Sequence, residues 1–512
     1  MTGTAEIAAA TRNSRVLPLK DVPWLLPSRF REWLVHGVRS KGRRIAAYFG
    51  SADEAIADVA LTAVLADDAN GRLFVARTAS DGTTFESVVP EVAEAHLFER
   101  EIAEQYGVRF EGHPWLKPVR FHHSFREGHD AWGRAADTEI PPGVADFFRV
   151  EGDEVHEVAV GPVHAGVIEP GHFRFQCHGE QVFHLEIALG YQHRGIERAL
   201  MGGPTKRTMP YMETAAGDTT IGHAMAYGQV VEALSGAVVS AHAHAVRGIA
   251  LELERLANHV GDLGALAGDV AYLPTASYCG RLRGDFLNMT AELCGSRFGR
   301  GLVRPGGVAF DLSSAQVTSL KSRLVAARAD VTEAVELLWD TPSVRERFEG
   351  TGTVSPEDAA ALGLVGPAAR ACGIQRDVRH DFPAGIYRFV HLPVVTAHHG
   401  DVNSRAFVRW LEIQQSLSFI LSQLDGLPAG GKRAAAGAMR PESLVVALTE
   451  GWRGEICHVA LTDAAGRFSR YKITDPSFHN WFALALALRD GQISDFPLCN
   501  KSFNLSYCGH DL

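Results

Sequence analysis

The sequence predicts a small N-terminal α+β domain followed by a mainly α-helical domain with short β-strands at both ends. Three observations carry this. Residues 33–119 fall into short alternating segments of the kind that a two-residue strand period produces. Residues 238–425 hold long stretches with apolar side chains at helical spacing. The strand pattern then returns on both flanks of those helices, at 155–187 and 444–473. With 512 residues, 46% of them hydrophobic, the chain buries a large core in two or more domains.

Taken in order, residues 1–30 read as a loose, flexible leader. Within residues 31–120, Arg44–Tyr48, Ala57–Leu65 and Arg72–Ala76 supply strands and one helix. A second helix runs from Pro90 to Gln105, is stopped by Gly107, and is followed by a turn at Gly112-His113-Pro114. Residues 121–150, polar and broken by Pro141-Pro142, form a linker. The second domain, 151–512, opens with a β-like stretch from Val155 to Ile187. Amphipathic helices follow over 238–267, 279–297, 315–339 and 404–425. A β-like stretch from Leu444 to Ile473, a short helix at 477–489 and an irregular tail complete it.

Net charge is −10, and Lys and Arg are spread along the chain, which argues against a nucleic-acid footprint. No segment approaches the roughly 20 apolar residues of a bilayer-spanning helix, and the first twenty residues lack the apolar stretch of a secretory signal. Membrane association is therefore expected only through partners. The seven cysteines (Cys177, Cys279, Cys294, Cys372, Cys457, Cys499 and Cys508) are odd in number, scattered and never in C-x-x-C spacing. Such a set predicts reduced thiols in the cytoplasm.

Two regions point to one family. Phe98-Glu-Arg-Glu-Ile-Ala-Glu-Gln-Tyr-Gly-Val-Arg-Phe-Glu-Gly-His-Pro-Trp-Leu-Lys117 resembles the signature of the 30-kDa-type subunit of respiratory complex I. Gly161-Pro-Val-His-Ala-Gly-Val-Ile-Glu-Pro-Gly-His-Phe-Arg-Phe175, continued by Gly190-Tyr-Gln-His-Arg-Gly-Ile-Glu197, resembles the large subunit of energy-converting nickel–iron hydrogenases and the 49-kDa-type subunit of complex I. Leu251-Glu-Leu-Glu-Arg-Leu256, Arg304-Pro-Gly-Gly307 and Asp377-Val-Arg379 match in the same order. The two modules fused this way resemble the large subunit of formate-hydrogenlyase-type complexes.

That resemblance implies a metal site, and the sequence does not supply its ligands. Nickel–iron hydrogenases hold their metals with four thiolates from two C-x-x-C motifs, and soft thiolates suit those metals better than carboxylates or hydroxyls. By alignment, the first pair of cysteine positions falls on Ala216 and Thr219, and the second on Ser506 and Gly509. Cys508 is one residue out of register and Cys499 lies further back. A standard nickel–iron centre is therefore not expected. The complex I relatives bind quinone through a His and a Tyr, and here Ile168 and Gly217 occupy those places.

What remains is polar. Glu169 matches the glutamate that relays protons beside the metal cysteines; the alternative is a turn residue capping nearby N–H groups. Arg453 matches the arginine poised over the metals; the alternative is a salt bridge within the protein. His223 is a proton carrier or a satisfied core histidine. The resemblance places His193, Arg194 and Glu197 near the junction with a partner subunit, with structural networking as the alternative. Gly426-Leu-Pro-Ala-Gly-Gly-Lys-Arg433 nearly spells a phosphate loop, but it follows a helix and has Arg433 where Ser or Thr is required. His242 and His244 point to different helix faces and cannot both ligate one metal.

The expectation is a peripheral subunit on the cytoplasmic side of a complex-I-like or hydrogenase-like oxidoreductase. The resemblance implies an iron–sulfur small subunit carrying a [4Fe–4S] cluster, a ferredoxin-like subunit, a membrane anchor and antiporter-like subunits. A cavity near Glu169, His223, Arg453 and Ser506 would host an acceptor such as quinone, or a proton path. A non-catalytic scaffold is the competing reading, and a true nickel–iron hydrogenase ranks last.

Overall fold

The computed structural model describes residues 6–53, 57–80, 84–164 and 167–512. Strands Ala9–Thr11, Arg72–Ser80, Ala57–Asp67 and Arg44–Asp53 lie side by side in that order, all antiparallel, with Trp24–Leu25 parallel to Arg72–Ser80. Helices Pro27–Lys41 and His96–Tyr106 cover one face, where Phe30, Leu34, Tyr48, Leu61, Phe98 and Ile102 share a core. Side chains alternate across a strand, so Ala47, Phe49, Val64 and Val75 point the other way. There they meet Leu444, Val446, Leu448 and Val459 of a second sheet.

This second sheet runs Phe468–Thr474, Gly454–Thr462, Ser443–Gly451 and finally Val16–Pro18. Residues 1–30 are thus not a loose leader from Ala9 onward. Val16 and Leu17 pair with Val445 and Leu444, and Asn13 Nδ2 donates to the carbonyls of Phe382 (2.7 Å) and Leu448 (3.0 Å). Alternation over three residues is too short to read as a strand; its partner lies at the far end of the sequence. A third sheet joins Val155–Val160, His172–His178 and Gln181–Ala188.

The helical body is organised around Ala241–Asp269, buried along most of its length and packed against Leu273–Cys294 and Val402–Asp425. Ser240 starts it by accepting the Ala243 N–H at 3.0 Å, and Ser313 with Gln316 forms a capping box for Ser314–Trp339. Where this body meets the second sheet, a buried ionic network forms. Arg370 reaches Glu412 (2.7 Å) and Glu450 (2.8 Å), Arg379 pairs with Asp377 (2.6 Å) and Glu252 (3.2 Å), and Arg255 pairs with Glu252 (3.0 Å). The expected irregular tail is instead two short helices, Phe496–Phe503 and Tyr507–Asp511. Asn504 in the left-handed conformation ends the first and the Ser506 side chain caps the second.

Candidate functional site

Two loops face each other within the second module. One, 214–219, precedes the Thr220–Ser235 helix, and the other, 504–506, precedes Tyr507–Asp511. Arg194 ties them together: its guanidinium donates to the carbonyls of Thr214 (2.6 Å), Ala215 (2.9 Å) and Cys508 (2.9 Å). A planar fork with five donors suits this three-carbonyl grip.

Arg453 sits at the turn between strands Ser443–Gly451 and Gly454–Thr462. It is bidentate to Asp218 (2.5 and 2.8 Å), donates to the Asn504 carbonyl and stacks 3.8 Å over the Trp452 ring. Its Nη1 lies 3.4 Å from Thr219 Oγ1. Arg453 therefore spans the first loop through Asp218 and Thr219 and the second through Asn504.

Behind Arg453 runs a fully buried polar chain. His223 Nε2 lies 3.0 Å from Asp475 Oδ2, His223 Nδ1 lies 3.1 Å from His458 Nε2, and His458 Nδ1 lies 2.9 Å from the Tyr471 hydroxyl. Burial works against charge on Asp475, but the bond from His223 and the nearby Arg453 hold its carboxyl below the usual range. Burial, with His223 alongside, drives His458 well below its ordinary value, so it is neutral. An ionised Asp475 accepts only, so His223 donates to it through Nε2.

Asp475 also abuts Gly509. A Cβ at 509 would lie 2.7 Å from the Asp475 carboxyl carbon and 2.9 Å from Ser506 Oγ, closer than real side chains approach. Gly217, by contrast, faces open space, and its N–H bonds the Cys508 sulfur. The Cys508 thiol also bonds the Glu169 side chain and lies 3.5 Å from Ser506 Oγ. Burial, with the Glu169 carboxylate beside it, pushes this thiol up. Ile168 is exposed. Ala165 and Gly166, part of the glycine-rich motif that carries Glu169, lie outside the described residues.

The expected partner-junction residues separate. His193 stacks on His122 with centroids 4.7 Å apart and bonds the Asp511 carbonyl at 2.8 Å; burial and Arg120 push it down to about 4. Glu197 faces inward: it pairs with Arg470 (2.8 Å) and Lys472 (3.1 Å), and Lys472 also reaches Glu101 at 2.6 Å. Although burial opposes it, these cations and Arg120 hold Glu197 well below the carboxylate range. Sequence reasoning missed Asp218, His458, Tyr471 and Asp475. Asp475 had a legible signal, since Asp-Pro-Ser opens a helix and its Oδ1 accepts the Ser477 N–H at 2.8 Å.

The donors at the two loops do not fit a four-thiolate metal centre. Ala216 offers no ligand atom, the Ser506 hydroxyl caps a helix, Gly509 has no side chain, and only Cys508 brings sulfur. Among the described residues no group of three or more His, Cys, Asp or Glu is arranged to hold a metal ion.

The chain joins a strand-rich module to a helical one, with the two facing loops inside the second. Residues 48–132 match the family of the 30 Kd subunit of respiratory-chain NADH dehydrogenase, and residues 269–440 that of its 49 Kd subunit. The carbon monoxide-induced hydrogenase of Rhodospirillum rubrum is 30% identical over 350 residues, 68% of this chain and 97% of that protein. Formate hydrogenlyase subunit 5 of Escherichia coli is 30% identical over 443 residues, 83% and 76% of the two chains. NADH-quinone oxidoreductase subunit 4 of Thermus thermophilus is 30% identical over 384 residues, 70% and 93%. The chain belongs to this hydrogenase and complex I large-subunit family, with the 30 Kd and 49 Kd modules fused.

Proposed function

We propose that this chain is the large subunit of a membrane-associated, complex-I-like or hydrogenase-like oxidoreductase that works without a standard nickel–iron centre. In this reading it takes electrons from a [4Fe–4S] cluster in an iron–sulfur small subunit and passes them to an acceptor, quinone being the class the family suggests. A ferredoxin-like subunit, a membrane anchor and antiporter-like subunits complete the assembly on the cytoplasmic face. No helix among the described residues is long and apolar enough to cross a membrane, in keeping with attachment through partners.

One observation carries the reading: Gly509, at a ligand position of the family, brings no side chain and lies against the Asp475 carboxylate, while Glu169, Cys508 and the Asp475–His223–His458–Tyr471 chain keep titratable groups at the two loops. Such groups hold and hand on protons when an acceptor at the two loops is reduced. Nickel and quinone are to be quantified in the purified native complex, and dye-to-quinone turnover compared with Glu169→Gln. Bound quinone, no stoichiometric nickel and a variant slowed about 100-fold or more are expected. Stoichiometric nickel would overturn the reading.

A scaffold role is favoured by a different observation. Arg453 and Arg194 spend their hydrogen bonds on the protein's own loops. Unchanged turnover in Glu169→Gln would put this second reading ahead.

A further inference from the structure

Away from the two loops, a cleft opens where the His96–Tyr106 helix, the Gln181–Ala188 strand and the Pro476–Ala487 helix meet. Trp115, Phe121, Trp481 and Phe482 line it together with aliphatic side chains such as Leu97, Leu185 and Leu189. Trp115 and Phe482 lie 6.1 Å apart at 75°, and His96 packs 4.9 Å from Phe482.

The polar groups in this cleft are few and unevenly satisfied. Arg100 donates Nε to the Lys117 carbonyl and Nη2 to the Pro118 carbonyl, both at 2.8 Å. Those neutral acceptors leave its charge unbalanced, and among the described residues it forms no ion pair; burial pulls it down to about 10. Two carboxylates act on it from a distance, and both are committed. Glu104 accepts the backbone N–H groups of Val119, Arg120 and Phe121. Glu186 pairs with Lys117 at 2.8 Å and accepts the Phe148 N–H at 2.9 Å. The His96 imidazole, held neutral at about 3 by burial and by Arg100, has no hydrogen-bond partner among the described residues. His510, the remaining histidine at the cleft, is bonded to Asp511 at 2.9 Å.

A mostly apolar cleft with two convergent, under-used polar groups is the ordinary form of a small-molecule site. An uncompensated guanidinium selects an anion, and its flat fork selects a carboxylate. The aromatic walls select a planar ring.

We propose that this cleft between the two modules binds a small aromatic carboxylate, with the carboxylate on Arg100, a hydrogen bond from His96 and the ring against the wall that Trp481 and Phe482 line. The site is separate from the two loops and does not depend on the redox reading. Trp115 and Trp481 in the walls provide the signal.

Tryptophan fluorescence of the full chain is titrated with benzoate, with benzyl alcohol as the neutral analogue and acetate as the ringless one. Saturable quenching by benzoate is expected, weaker binding of benzyl alcohol and none of acetate. Arg100→Met should weaken benzoate about tenfold, the loss of one charge-assisted contact, and leave benzyl alcohol unchanged. Ala145→Trp, which fills the mouth from the linker without touching the core, should abolish both. Non-saturating quenching, or benzoate binding equal in wild type and Arg100→Met, overturns the proposal. If Arg100→Met fails to fold by circular dichroism, Ala145→Trp decides: benzoate binding retained there overturns it.

Discussion

Glu99 in the N-terminal module and Glu252 in the helical module are both fully buried, yet their surroundings act in opposite directions. Glu99 accepts from the Ser87 hydroxyl at 2.6 Å and the Val88 N–H at 2.9 Å, and burial outweighs these bonds and nearby Arg31 and lifts it to about 8. Glu94 in the same module is lifted to about 7 for the same reason. Glu252 also bears the cost of burial, but Arg255 and Arg379, with hydroxyls from Ser416 and Tyr387, hold it at about 2. Glu99 keeps its proton, and Glu252 keeps its charge in ion pairs. At equal burial, the balance of nearby cations, anions and hydrogen bonds decides between the two.

The largest effect is expected from breaking the ionic side of this contrast. Arg370→Met leaves Glu412 and Glu450 buried without their shared cation, so denaturant unfolding should show about 3–5 kcal/mol lost. A loss under about 1 kcal/mol would mean that Arg255 and Arg379 already carry the network.

The next effect is one of pH, and its sign differs between Glu99 and Glu252. Glu99 has a folded value of about 8 against 4.5 for the free side chain. Its contribution is complete below about 4.5 and disappears as pH rises through 8. Glu252, at about 2, contributes fully above 4.5 and loses its contribution as pH falls towards 2. Hydrogen exchange should therefore show the amides around Glu99 loosening first in alkali and those around Glu252 first in acid. Glu99→Gln should gain about 2 kcal/mol on the wild type between pH 6 and 8; parallel curves would refute the assignment. Ser87→Ala, which removes one donor from Glu99, is the smallest change, at about 1 kcal/mol, read as a shift in urea midpoint.

How much of this was legible follows from where the signals are local. Strands 44–53, 57–67 and 72–80 and the helix ending at Gly107 repeat their own pattern within a few residues, so they stand out in the sequence. The near-continuous apolar character of those strands has a cause that sequence does not reveal: both faces of the sheet are buried. Val16–Pro18 was invisible because its only partner lies in strand Ser443–Gly451. The tail was unreadable because its helices are short and held by a capping serine and by contacts with distant strands. At the site, Glu169, His223 and Arg453 were found by resemblance. Asp475, His458 and Tyr471 were not, since a hydrogen-bonded chain between a helix and two strands leaves no spacing to recognise.

The pairing of Val16–Pro18 with the second sheet also sets a clock. Asn13 and Leu448, which bond across that seam, are 435 positions apart. At a synthesis rate of about 5–20 residues per second, the early segment waits tens of seconds for the strand it completes. Over that interval the Arg44–Asp53 sheet has one face without its cover, and when strand Ser443–Gly451 emerges its edge is open to any other extended chain. The pairing is therefore a long-range closure of slow, high-contact-order character, made between segments that leave the ribosome far apart in time.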